Sequence, residues 1–464
     1  MNLNNQQVLV MGFGLTGKSV ANFLVANGAQ VTVIDRGDVP QDPSVHLLLQ
    51  KGVQFIWGEH PLELLETPFA FIVKNPGIKY TVPFVQAAME RGIPIYTDVE
   101  LAYRFSKAPI IGITGSNGKT TTTSLMHQLL QHRQNGQAFL AGNIGIPTLD
   151  VVPNATQEDV IVMELSSFQL EGTEQFTPSI AVMTNIFDAH ADYHGSHEAY
   201  VAAKFKLLKN LTSQEFVVFN YDSVPLKATC LASLAQKVPF SIDNVDDFVR
   251  ENGAYVENES VYFQGEKVAE VADILIPGKH NVENALAALA VAKLHQVPNA
   301  AIVQVLRTYT GMPHRIQKIA ESNGRLFYND SKATNETATN TALDSFKQPT
   351  HYIGGGLDRG GGFDELIPHL TNVTAAYLYG QSKEKMQRTF QAANVPQIQL
   401  FETLVEATTA AYHNAKKGEV VLLSPSCASW DQFANFEERG NTFEATVRHL
   451  LATDPYKEND DERN

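Results

Sequence analysis

A short glycine- and threonine-rich segment, TGSNGKTT at residues 114–121, carries the residue types that bind phosphate groups. It follows the apolar run 110–113, predicted to be a buried strand, and precedes a pattern typical of a helix start. Glycines let backbone N–H groups approach an anion, Lys119 and the helix N-terminus add positive charge, and the Thr120 hydroxyl can bind Mg²⁺. Ile113 occupies the place of the first glycine in the strict pattern, so this is a variant loop. The segment predicts a nucleoside triphosphate site, with a purely structural glycine turn as the alternative.

Further polar residues follow the next predicted strands. One apolar run ends in Glu164, where phosphate-loop enzymes usually carry a second Mg²⁺ ligand. The strand after it leads into a group of acidic and histidine residues: Asp188, His190, Asp192 and His194. Such a group is typical either of a metal site or of a solvated loop. Lys204 lies among apolar residues on the following predicted helix, where a lysine is most often solvated.

The N-terminal residues show the pattern of a nucleotide-binding βαβ unit. A predicted strand at 7–11 is followed by GFGLTG at 12–17, a complete G-x-G-x-x-G, and by an apolar helix pattern. A second predicted strand ends in Asp35, at the distance expected for an acid that binds a ribose. By itself this pattern predicts a dinucleotide site, or else glycines that serve only the close packing of helix and strand. A later predicted strand runs into KNPG at 74–77, at the sheet edge where ligands bind.

Four apolar runs in the C-terminal part each end in polar or glycine-rich residues. The segments that follow them are NDSKATN at 329–335, GGGLDRGG at 354–361, GQS at 380–382 and SPSCASW at 424–430. Repetition of this arrangement is typical of a parallel sheet with a binding site along one edge. Upstream, His280 and Asn281 lie at the start of an alanine-rich helix pattern, as capping groups or as groups that hold a base.

Length and composition restrict the class of protein. A chain of 464 residues is too long for one core and predicts about three domains. The net charge of −15 argues against nucleic-acid binding, because neutralising the phosphates of a nucleic acid needs clustered Lys and Arg. The two cysteines, Cys230 and Cys427, make no disulfide framework and fit a reducing cytosol. Without a signal-peptide pattern or a long apolar run, we expect a cytoplasmic protein that does not enter the membrane.

The chain resembles the Mur ligase family of ATP-dependent amino-acid ligases. The motifs that carry this resemblance are TGSNGKTT, ELSSFQL at 164–170, His190 and PGKHNVENA at 277–285. Three more motifs are similar to those of the members that add D-glutamate: GFGLTGKS at 12–19, NDSKATN, and SPSCASWDQFANFEERG at 424–440. The resemblance covers all of the chain but its tail. It implies an α/β fold with three domains in series: a Rossmann-like domain at 1–98, a phosphate-loop ATPase-like domain at 99–305, and a second Rossmann-like domain at 306–451, before a charged tail at 452–464.

The resemblance also implies a reaction and the residues that serve it. ATP would phosphorylate the carboxylate of UDP-N-acetylmuramoyl-L-alanine, and the D-glutamate amine would displace phosphate from the acyl phosphate, in a cytoplasmic monomer. The residues implied for ATP are Gly115, Ser116, Asn117, Gly118, Lys119, Thr120, Thr121, Asn281, Asn284, Arg315 and Asp330. The residues implied for the UDP-substrate are Leu15, Thr16, Asp35, Arg36, Asn75, Gly77, Asn143, Ser166 and His190. Those implied for D-glutamate are Lys332, Thr334, Arg359, Ser429 and the backbone of Phe436.

The metal ligands and catalytic residues implied by the resemblance overlap with these sets. Two Mg²⁺ ions are expected on Thr120, Glu164, His190 and Lys204. Lys204 is expected to carry a carbamate derived from CO₂, which turns a cation into an anionic group. Lys119, His190 and Lys204 are the expected catalytic residues.

Three other functions remain open from the sequence. An NAD-dependent oxidoreductase explains GFGLTG but leaves TGSNGKTT and ELSSFQL without a role. A nucleotide-binding switch leaves the four polar segments of the C-terminal part without a role. A related ligase that adds another residue, or one that glutamylates folate, differs in its substrate alone.

Overall fold

The computed structural model describes residues 1–37, 42–187 and 191–453, without the side chains of residues 191 and 192. His190 and residues 454–464 of the predicted tail lie outside this described part. The chain forms three mainly parallel β-sheets distributed over two compact units. The first unit comprises residues 1–273 and 283–306, and the second comprises residues 274–282 and the chain from Arg307 onward. Within the described residues, no helix is long and apolar enough to cross a membrane.

The first sheet contains five parallel strands in the order β3-β2-β1-β4-β5. Its elements are β1 (Gln7–Met11), α1 (Leu15–Ala26), β2 (Gln30–Asp35), α2 (Pro43–Gln50), β3 (Gln54–Trp57), β4 (Phe71–Lys74), α3 (Pro83–Glu90) and β5 (Ile95–Tyr96). The glycine loop connects β1 to α1, and a Cβ on Gly17 would overlap the carbonyl oxygen of Gly12. The last glycine of the motif is therefore required for the close approach of helix and loop, whatever the loop binds.

The central sheet contains nine strands in the order β14-β13-β12-β11-β10-β9-β6-β8-β7, of which β12 to β14 pair antiparallel at one edge. Its strands are β6 (Ile110–Thr114), β7 (Ala138–Gly142), β8 (Val160–Glu164), β9 (Ile180–Met183), β10 (Phe216–Asn220), β11 (Gln236–Ser241), β12 (Ala254–Glu257), β13 (Ser260–Phe263) and β14 (Glu266–Glu270). The helices of this region are α4 (Asp98–Phe105), α5 (Lys119–Leu130), α6 (Thr148–Val151), α7 (Ser167–Glu171), α8 (Ala191–His194), α9 (His197–Phe205), α10 (Val224–Ala232), α11 (Asp247–Asn252), α12 (Lys279–Leu294) and α13 (Asn299–Thr308). Because β6 lies between β8 and β9, the polar residues that follow these two strands flank the TGSNGKTT loop.

The third sheet contains six strands in the order β15-β16-β20-β17-β18-β19, with only the β15–β16 pair antiparallel. Its elements are β15 (Gln317–Ser322), β16 (Arg325–Asn329), α14 (Glu336–Asp344), β17 (Thr350–Gly355), β18 (Val373–Tyr379), α15 (Lys383–Ala392), β19 (Gln397–Phe401), α16 (Leu404–Asn414), β20 (Val420–Leu423) and α17 (Phe436–Thr453). The four strands predicted from the C-terminal pattern are β16, β17, β18 and β20, and the ends of these parallel strands share one edge. The expected α/β fold is confirmed, and each of the three predicted domains contains one sheet. Residues 452 and 453, predicted to belong to the tail, are instead the end of α17.

A buried carboxylate joins the first two sheets within the first unit. Glu100, on α4, is fully buried. Its two oxygens accept hydrogen bonds from the backbone N–H groups of Glu174, Gln175 and Phe176 at 2.8 to 3.2 Å and from Arg104 Nε at 2.7 Å. These donors satisfy a charge that burial would otherwise make costly. The start of α4, which follows the last strand of the first sheet, is thereby attached to the central sheet.

Candidate active site

The TGSNGKTT loop has a backbone that favours glycine at two positions. Gly118 has φ +79° and caps α5, and Gly115 has φ +157°. A Cβ on Gly115 would overlap Thr184 Oγ1, and one on Gly118 would overlap Asn284 Oδ1. Both glycines are therefore required by close packing, and the loop leads directly into the N-terminus of a twelve-residue helix, where backbone N–H groups attract anions.

Residues that follow β9 hold the loop in place. The N–H of Ser116 donates to the carbonyl oxygen of Asn185 at 2.9 Å, and the N–H of Asn117 donates to Asn185 Oδ1 at 2.8 Å. Thr184 Oγ1 donates to the carbonyl oxygen of Asn117 at 2.7 Å. The loop geometry is thus determined by the neighbouring strand, which the sequence pattern alone did not indicate.

Two lysines converge on one carbonyl oxygen of the loop. Lys119 Nζ donates to the carbonyl oxygens of Gly115 and Ser116 at 2.9 Å each, and Lys204 Nζ donates to the Gly115 oxygen at 2.8 Å. Lys204 is only 2% exposed, in contrast to the solvated position that is usual for a helical lysine. Burial, followed by the charge of Lys119, lowers the pKa of Lys204 to about 6, although Glu164 acts in the opposite direction. At neutral pH the Lys204 amine is therefore mostly uncharged.

Glu164 supplies a carboxylate that suits a metal ion. It ends β8 beside Ile113 of β6 and is 1% exposed. Its Oε1 accepts a hydrogen bond from Asn143 Nδ2 at 2.8 Å, whereas its Oε2 is buried and makes no hydrogen bond with any residue that the structure describes. An orphaned buried carboxylate oxygen next to a phosphate-binding loop is the donor that Mg²⁺ uses together with a hydroxyl, water and phosphate oxygens. The Glu164 carboxylate therefore fits a magnesium ion, and the loop that follows the neighbouring strand β6 leads to the Thr120 hydroxyl at the start of α5.

The polar group after β9 is only partly described. Asp188 and His190 lie outside the described residues, so their predicted roles stay predictions. His194 Nε2 lies 3.0 Å from Ser167 Oγ, and its Nδ1 lies 3.8 Å from Glu171 Oε2. Among the residues that the structure does describe, no three His, Cys, Asp or Glu side chains form a metal-binding group.

A cavity of about 270 Å³ lies between the first and central sheets, within the first unit. Its lining residues lie on the loops, helices and strand ends around both sheets: Leu15, Thr16, Asn75, Pro76, Gly77, Asp98, Gly142, Asn143, Gly145, Pro147, Ser166, Phe168 and Gln169. Six of the residues predicted for the UDP-substrate are brought together here, namely Leu15, Thr16, Asn75, Gly77, Asn143 and Ser166. Asn143 lines this cavity and also binds Glu164, so the cavity and the candidate metal site share a wall.

Asp35 and Arg36 are not among the described lining residues of the cavity. The Asp35 carboxylate instead accepts hydrogen bonds from the backbone N–H groups of Phe13 at 2.6 Å and Gly37 at 2.7 Å. The acid at the end of β2 thus holds the glycine loop directly. A carboxylate accepts more than two hydrogen bonds, so this contact leaves room for a ligand.

Seven of the thirteen lining residues were not predicted as site residues, and two of these seven, Gln169 and Asp98, are polar side chains with defined hydrogen-bond partners. Gln169 forms a capping box with Ser166 at the start of α7, in which the Ser166 N–H donates to Gln169 Oε1 at 3.1 Å. Asp98 is 3% exposed, and its Oδ2 accepts a hydrogen bond from Thr148 Oγ1 at 2.9 Å. The ELSSFQL motif contains Gln169, but no local pattern links Asp98 to Thr148.

Two asparagines predicted for the nucleotide are buried and differently placed. Asn284 Oδ1 accepts a hydrogen bond from Thr122 Oγ1 at 3.2 Å and lies against Gly118, next to the phosphate loop. Asn281 Nδ2 donates to the carbonyl oxygen of Pro277 at 2.7 Å. Asn281 therefore binds the turn before α12, and this donation to a carbonyl oxygen is not an N-cap, in which the side chain accepts from a backbone N–H.

The second unit collects polar residues along one edge of the third sheet. Asp330 is 5% exposed and accepts hydrogen bonds from Ser424 Oγ at 2.7 Å and from the N–H of Ile316 at 3.1 Å. Burial raises the pKa of Asp330 to about 7, although these hydrogen bonds and the charges of Arg315 and Arg439 oppose the shift. A carboxyl group at this position is close to the balance between its neutral and charged forms at neutral pH.

The residues predicted for D-glutamate lie on separate segments of this edge. Lys332 Nζ lies 5.1 Å from the centre of the Phe436 ring, and the Arg359 guanidinium lies 5.0 Å from the Trp430 ring, next to Ser429 in the sequence. Lys332 and Arg359 are exposed, Thr334 is half-buried and Ser429 is buried. The structure thus places Lys332 beside the Phe436 ring and Arg359 beside the Trp430 ring, two separate cation–aromatic contacts.

Arg439 was not predicted, and it connects these segments. It is fully buried on α17 and donates to Ser331 Oγ at 2.9 Å, to the carbonyl oxygen of Ser331 at 2.7 Å and to that of Cys427 at 2.9 Å. Ser331 belongs to NDSKATN and Cys427 to SPSCASW. A signal was present, because Arg439 lies four residues before Phe443 and eight before Val447, on the buried face of the helix.

Family models match the chain in three successive regions. They describe a Mur ligase MurD-like N-terminal domain at residues 6–97, a Mur ligase middle domain at 113–292 and a Mur ligase glutamate ligase domain at 314–427. Solved structures share the fold at low sequence identity. A UDP-N-acetylmuramate–alanine ligase from Thermotoga maritima is 18% identical, with a TM-score of 0.57 over 96% of this chain and 99% of that one. A pseudomurein peptide ligase type C from Methanothermus fervidus is 17% identical, with a TM-score of 0.54 over 96% of this chain and 100% of that one.

Curated relatives are similar over almost the whole chain. A UDP-N-acetylmuramoylalanine–D-glutamate ligase from Latilactobacillus sakei is 48% identical over 448 residues, which is 96% of this chain and 98% of that protein. Relatives of the same name from Bacillus cereus and Enterococcus faecalis are each 47% identical over 96% of this chain, and over 98% and 97% of their own lengths. With this identity along the chain and three family domains matched in order, the chain belongs to the Mur ligase family.

Proposed function

We propose that this chain is an ATP-dependent ligase that joins D-glutamate to UDP-N-acetylmuramoyl-L-alanine, in peptidoglycan precursor synthesis in the cytoplasm. Relatives that carry this name support the assignment along the whole chain. The observation that carries it is the contact between Asn143 and Glu164, because it joins a cavity lined by residues predicted for the UDP-substrate to a candidate magnesium site. The domain boundaries at residues 98, 305 and 451 and the monomeric state stay predictions.

The reaction brings two anions together, the substrate carboxylate and the ATP phosphates. Most of the proposed site residues therefore neutralise negative charge. A carboxylate has a poor leaving group, so its phosphorylation by ATP must precede attack by the D-glutamate amine, which then expels phosphate. We assign Lys119 and the N–H groups at 115–121 to the ATP phosphates. Thr120 and Glu164 would hold Mg²⁺, which when bound supplies positive charge between the phosphate groups. Asn281, Asn284, Arg315 and Asp330 are proposed for the rest of the nucleotide.

We assign the UDP-substrate to the cavity between the first two sheets. The backbone N–H groups of Leu15 and Thr16 lie at the N-terminus of the twelve-residue helix α1, where a pyrophosphate binds favourably. Asn75 and Gly77 line the same wall, and Asn143 and Ser166 are proposed for the muramoyl-alanine end. Asp35 and Arg36 are proposed for the uracil, and His190 for the acyl end, on the resemblance alone.

We assign D-glutamate to the second unit. The side chains of Lys332, Thr334, Arg359 and Ser429 and the N–H of Phe436 offer cations and donors for two carboxylates. An arginine suits a carboxylate because its guanidinium donates two parallel hydrogen bonds. Two exposed cations on the polar edge of the third sheet support this assignment.

Lys204 is proposed to react with CO₂ and become a carbamate. Only an uncharged amine attacks CO₂, forming a C–N bond and releasing a proton. Burial lowers the pKa of Lys204 to about 6, so at pH 7 a far larger share of its amine is uncharged than in an ordinary lysine. The anionic product would lie beside the Gly115 carbonyl and near Glu164, where with His190 it would support a second Mg²⁺.

Phosphate release tests the substrate assignment. The chain is incubated with ATP, Mg²⁺ and UDP-N-acetylmuramoyl-L-alanine and with a panel of amino acids of both configurations. We expect release only with D-glutamate. Release with another amino acid would overturn the D-glutamate assignment, and ATP hydrolysis independent of any amino acid would overturn the ligase assignment.

Carbon-13 NMR in labelled bicarbonate tests the carbamate. We expect a carbamate signal in the unmodified chain and in Lys206→Met, and no such signal in Lys204→Met. Lys206 is a matched control because it is a neighbouring, partly buried lysine that donates to the carbonyl oxygen of Glu171 instead of to the loop. A signal that survives Lys204→Met would show that the carbamate is elsewhere.

A further inference from the structure

One wall of the cavity is a short segment that leaves the first sheet after β4. Residues 75–78, called here the 75–78 segment, include three lining residues: Asn75, Pro76 and Gly77. Within it, the N–H of Gly77 donates to Asn75 Oδ1 at 3.1 Å. The shape of this wall depends on what holds the carbonyl groups of the segment.

Lys74, the last residue of β4, holds these carbonyl groups from one side. It is only 1% exposed, and its Nζ donates to the carbonyl oxygen of Ile78 at 2.6 Å and to those of Asn75 and Pro76 at 3.3 Å each. Its ammonium also lies 4.6 Å from the centre of the Tyr80 ring. Burying an ammonium group is costly unless acceptors compensate for the lost water, and here the backbone of the 75–78 segment provides them.

Tyr193, on a helix of the central region, binds two of the same carbonyl groups. It belongs to α8, and its hydroxyl lies 2.8 Å from the carbonyl oxygen of Pro76 and 2.9 Å from that of Ile78. The Tyr193 ring lies 4.3 Å from the ring of Phe168, which also lines the cavity. The carbonyl oxygens of Pro76 and Ile78 therefore contact both the Lys74 ammonium, from the first sheet, and the Tyr193 hydroxyl, from the central region. Lys74 Nζ and the Tyr193 hydroxyl lie 3.5 Å apart.

We infer that Lys74 and Tyr193 are positioning residues that fix the 75–78 segment for the UDP-substrate. Neither residue lines the cavity, so each acts through the segment and not by touching the substrate. Because Tyr193 contacts the lining residue Phe168 as well as the carbonyl groups of the 75–78 segment, the two residues hold that segment in place relative to Phe168 before substrate binds. This inference rests on the proposed function, in that it takes the cavity as the UDP-substrate site.

The variants Lys74→Met, Tyr193→Phe and the double variant test this role. We expect Tyr193→Phe to raise KM for the UDP-substrate by about five- to tenfold, since it loses one neutral hydrogen bond. Lys74→Met should raise it by about tenfold or more, since it loses bonds from a charged donor. KM for ATP and kcat should stay within about twofold in both variants, because the phosphate loop is unchanged. The double variant should be less impaired than the product of the two single effects, because both residues bind the same carbonyl groups.

Tyr96→Phe is the matched control. Tyr96 also links the first sheet to the central region through its hydroxyl, which donates to Glu174 Oε2 at 3.0 Å, but it makes no contact with the 75–78 segment among its described hydrogen bonds. This variant should leave KM for the UDP-substrate within about twofold. If Tyr96→Phe raised that KM as much as Tyr193→Phe, the effect would be general loosening of the unit and the inference would be wrong.

The remaining outcomes separate this inference from the proposed function. Equal rises in KM for ATP and for the UDP-substrate, or a lower kcat at unchanged KM, would refute the positioning role while leaving the ligase assignment intact. If Lys74→Met does not fold, Tyr193→Phe decides the question alone. If the unmodified chain does not ligate D-glutamate, calorimetric titration with UDP-N-acetylmuramoyl-L-alanine gives the affinities of the same variants. An unchanged affinity in Tyr193→Phe would then refute the inference as well.

Discussion

Replacing Arg439 by methionine should destabilise the second unit and weaken D-glutamate binding together. The guanidinium is fully buried and donates three hydrogen bonds, two to Ser331 and one to the carbonyl oxygen of Cys427. Methionine has a similar length and no donors, so it removes the charge and the bonds without opening a large cavity. The segments that hold Lys332 and Ser429 would lose the contact that joins them.

The size of the effect follows from what each acceptor loses. The carbonyl oxygens of Ser331 and Cys427 would be left buried, at about 1 to 3 kcal/mol each, whereas Ser331 Oγ keeps its own donation to the carbonyl oxygen of Phe436 at 2.8 Å. Removing the charge also removes the cost of burying it, which reduces the net loss. We therefore expect Arg439→Met to lower the free energy of unfolding by about 3 kcal/mol, within the range of about 3 to 5 known for breaking a buried charged contact. Arg439→Lys keeps the charge with a single donor nitrogen and should lose about half as much.

Urea unfolding followed by tryptophan fluorescence measures this loss. The chain has two tryptophans, Trp57 in the first unit and Trp430 in the second, so a Trp57→Phe background reports on the second unit alone. We expect a lower urea midpoint in Arg439→Met, and a rise in KM for D-glutamate larger than the rise in KM for the UDP-substrate. An unchanged midpoint would refute the energetic reasoning. A lower midpoint with an unchanged KM for D-glutamate would refute the link between Arg439 and the binding segments.

Three further variants test the site by different readouts. Gly118→Ala adds a Cβ at φ +79° that overlaps Asn284 Oδ1, so ATP affinity measured by calorimetry should fall by about tenfold or more. Glu164→Gln keeps the shape next to Asn143 but removes the charge, so the Mg²⁺ concentration for half-maximal phosphate release should rise by about tenfold, and an unchanged value would argue against Glu164 as ligand. The pKa of Asp330 is raised from 3.8 to about 7, so the folded chain binds more protons than the unfolded one between these values and stability falls as pH rises through them, by at most about 4 kcal/mol. Asp330→Asn should remove this slope in urea titrations between pH 4 and about 7, and a slope that persists would exclude Asp330 as its source.

The fold was predictable because its signals are local. Apolar runs that end in glycine or polar residues mark parallel strands, and the structure has β1, β6, β8 and β20 where such runs occur. The ligand of the first sheet was not predictable from GFGLTG by itself. A pyrophosphate at a helix N-terminus is bound by the same N–H groups whether it belongs to NAD or to a UDP-sugar. The resemblance carried by the motifs of the other two sheets favours the UDP-sugar.

Long-range contacts explain what the sequence did not indicate. Ser331 and Arg439 are 108 residues apart, and Lys204 and Gly115 are 89 residues apart, so no periodicity relates them. A helical lysine among apolar residues is predicted to be solvated, because its long side chain usually reaches water. The burial of Lys204, and with it its low pKa, depends on the packing of α9 against the phosphate loop, which only the structure provides.

The buried carboxylate of Glu100 affects the cooperativity with which the first unit unfolds on heating. Cutting the chain between α4 and β6 would leave the Glu100 charge on one fragment and its three backbone N–H donors, at residues 174 to 176, on the other. Burying either the carboxylate or the N–H groups without the other would cost a large free energy of desolvation. Each fragment would therefore leave its own part of the contact exposed to water. The first two sheets should accordingly absorb heat in a single calorimetric transition, although each has a sheet topology of its own.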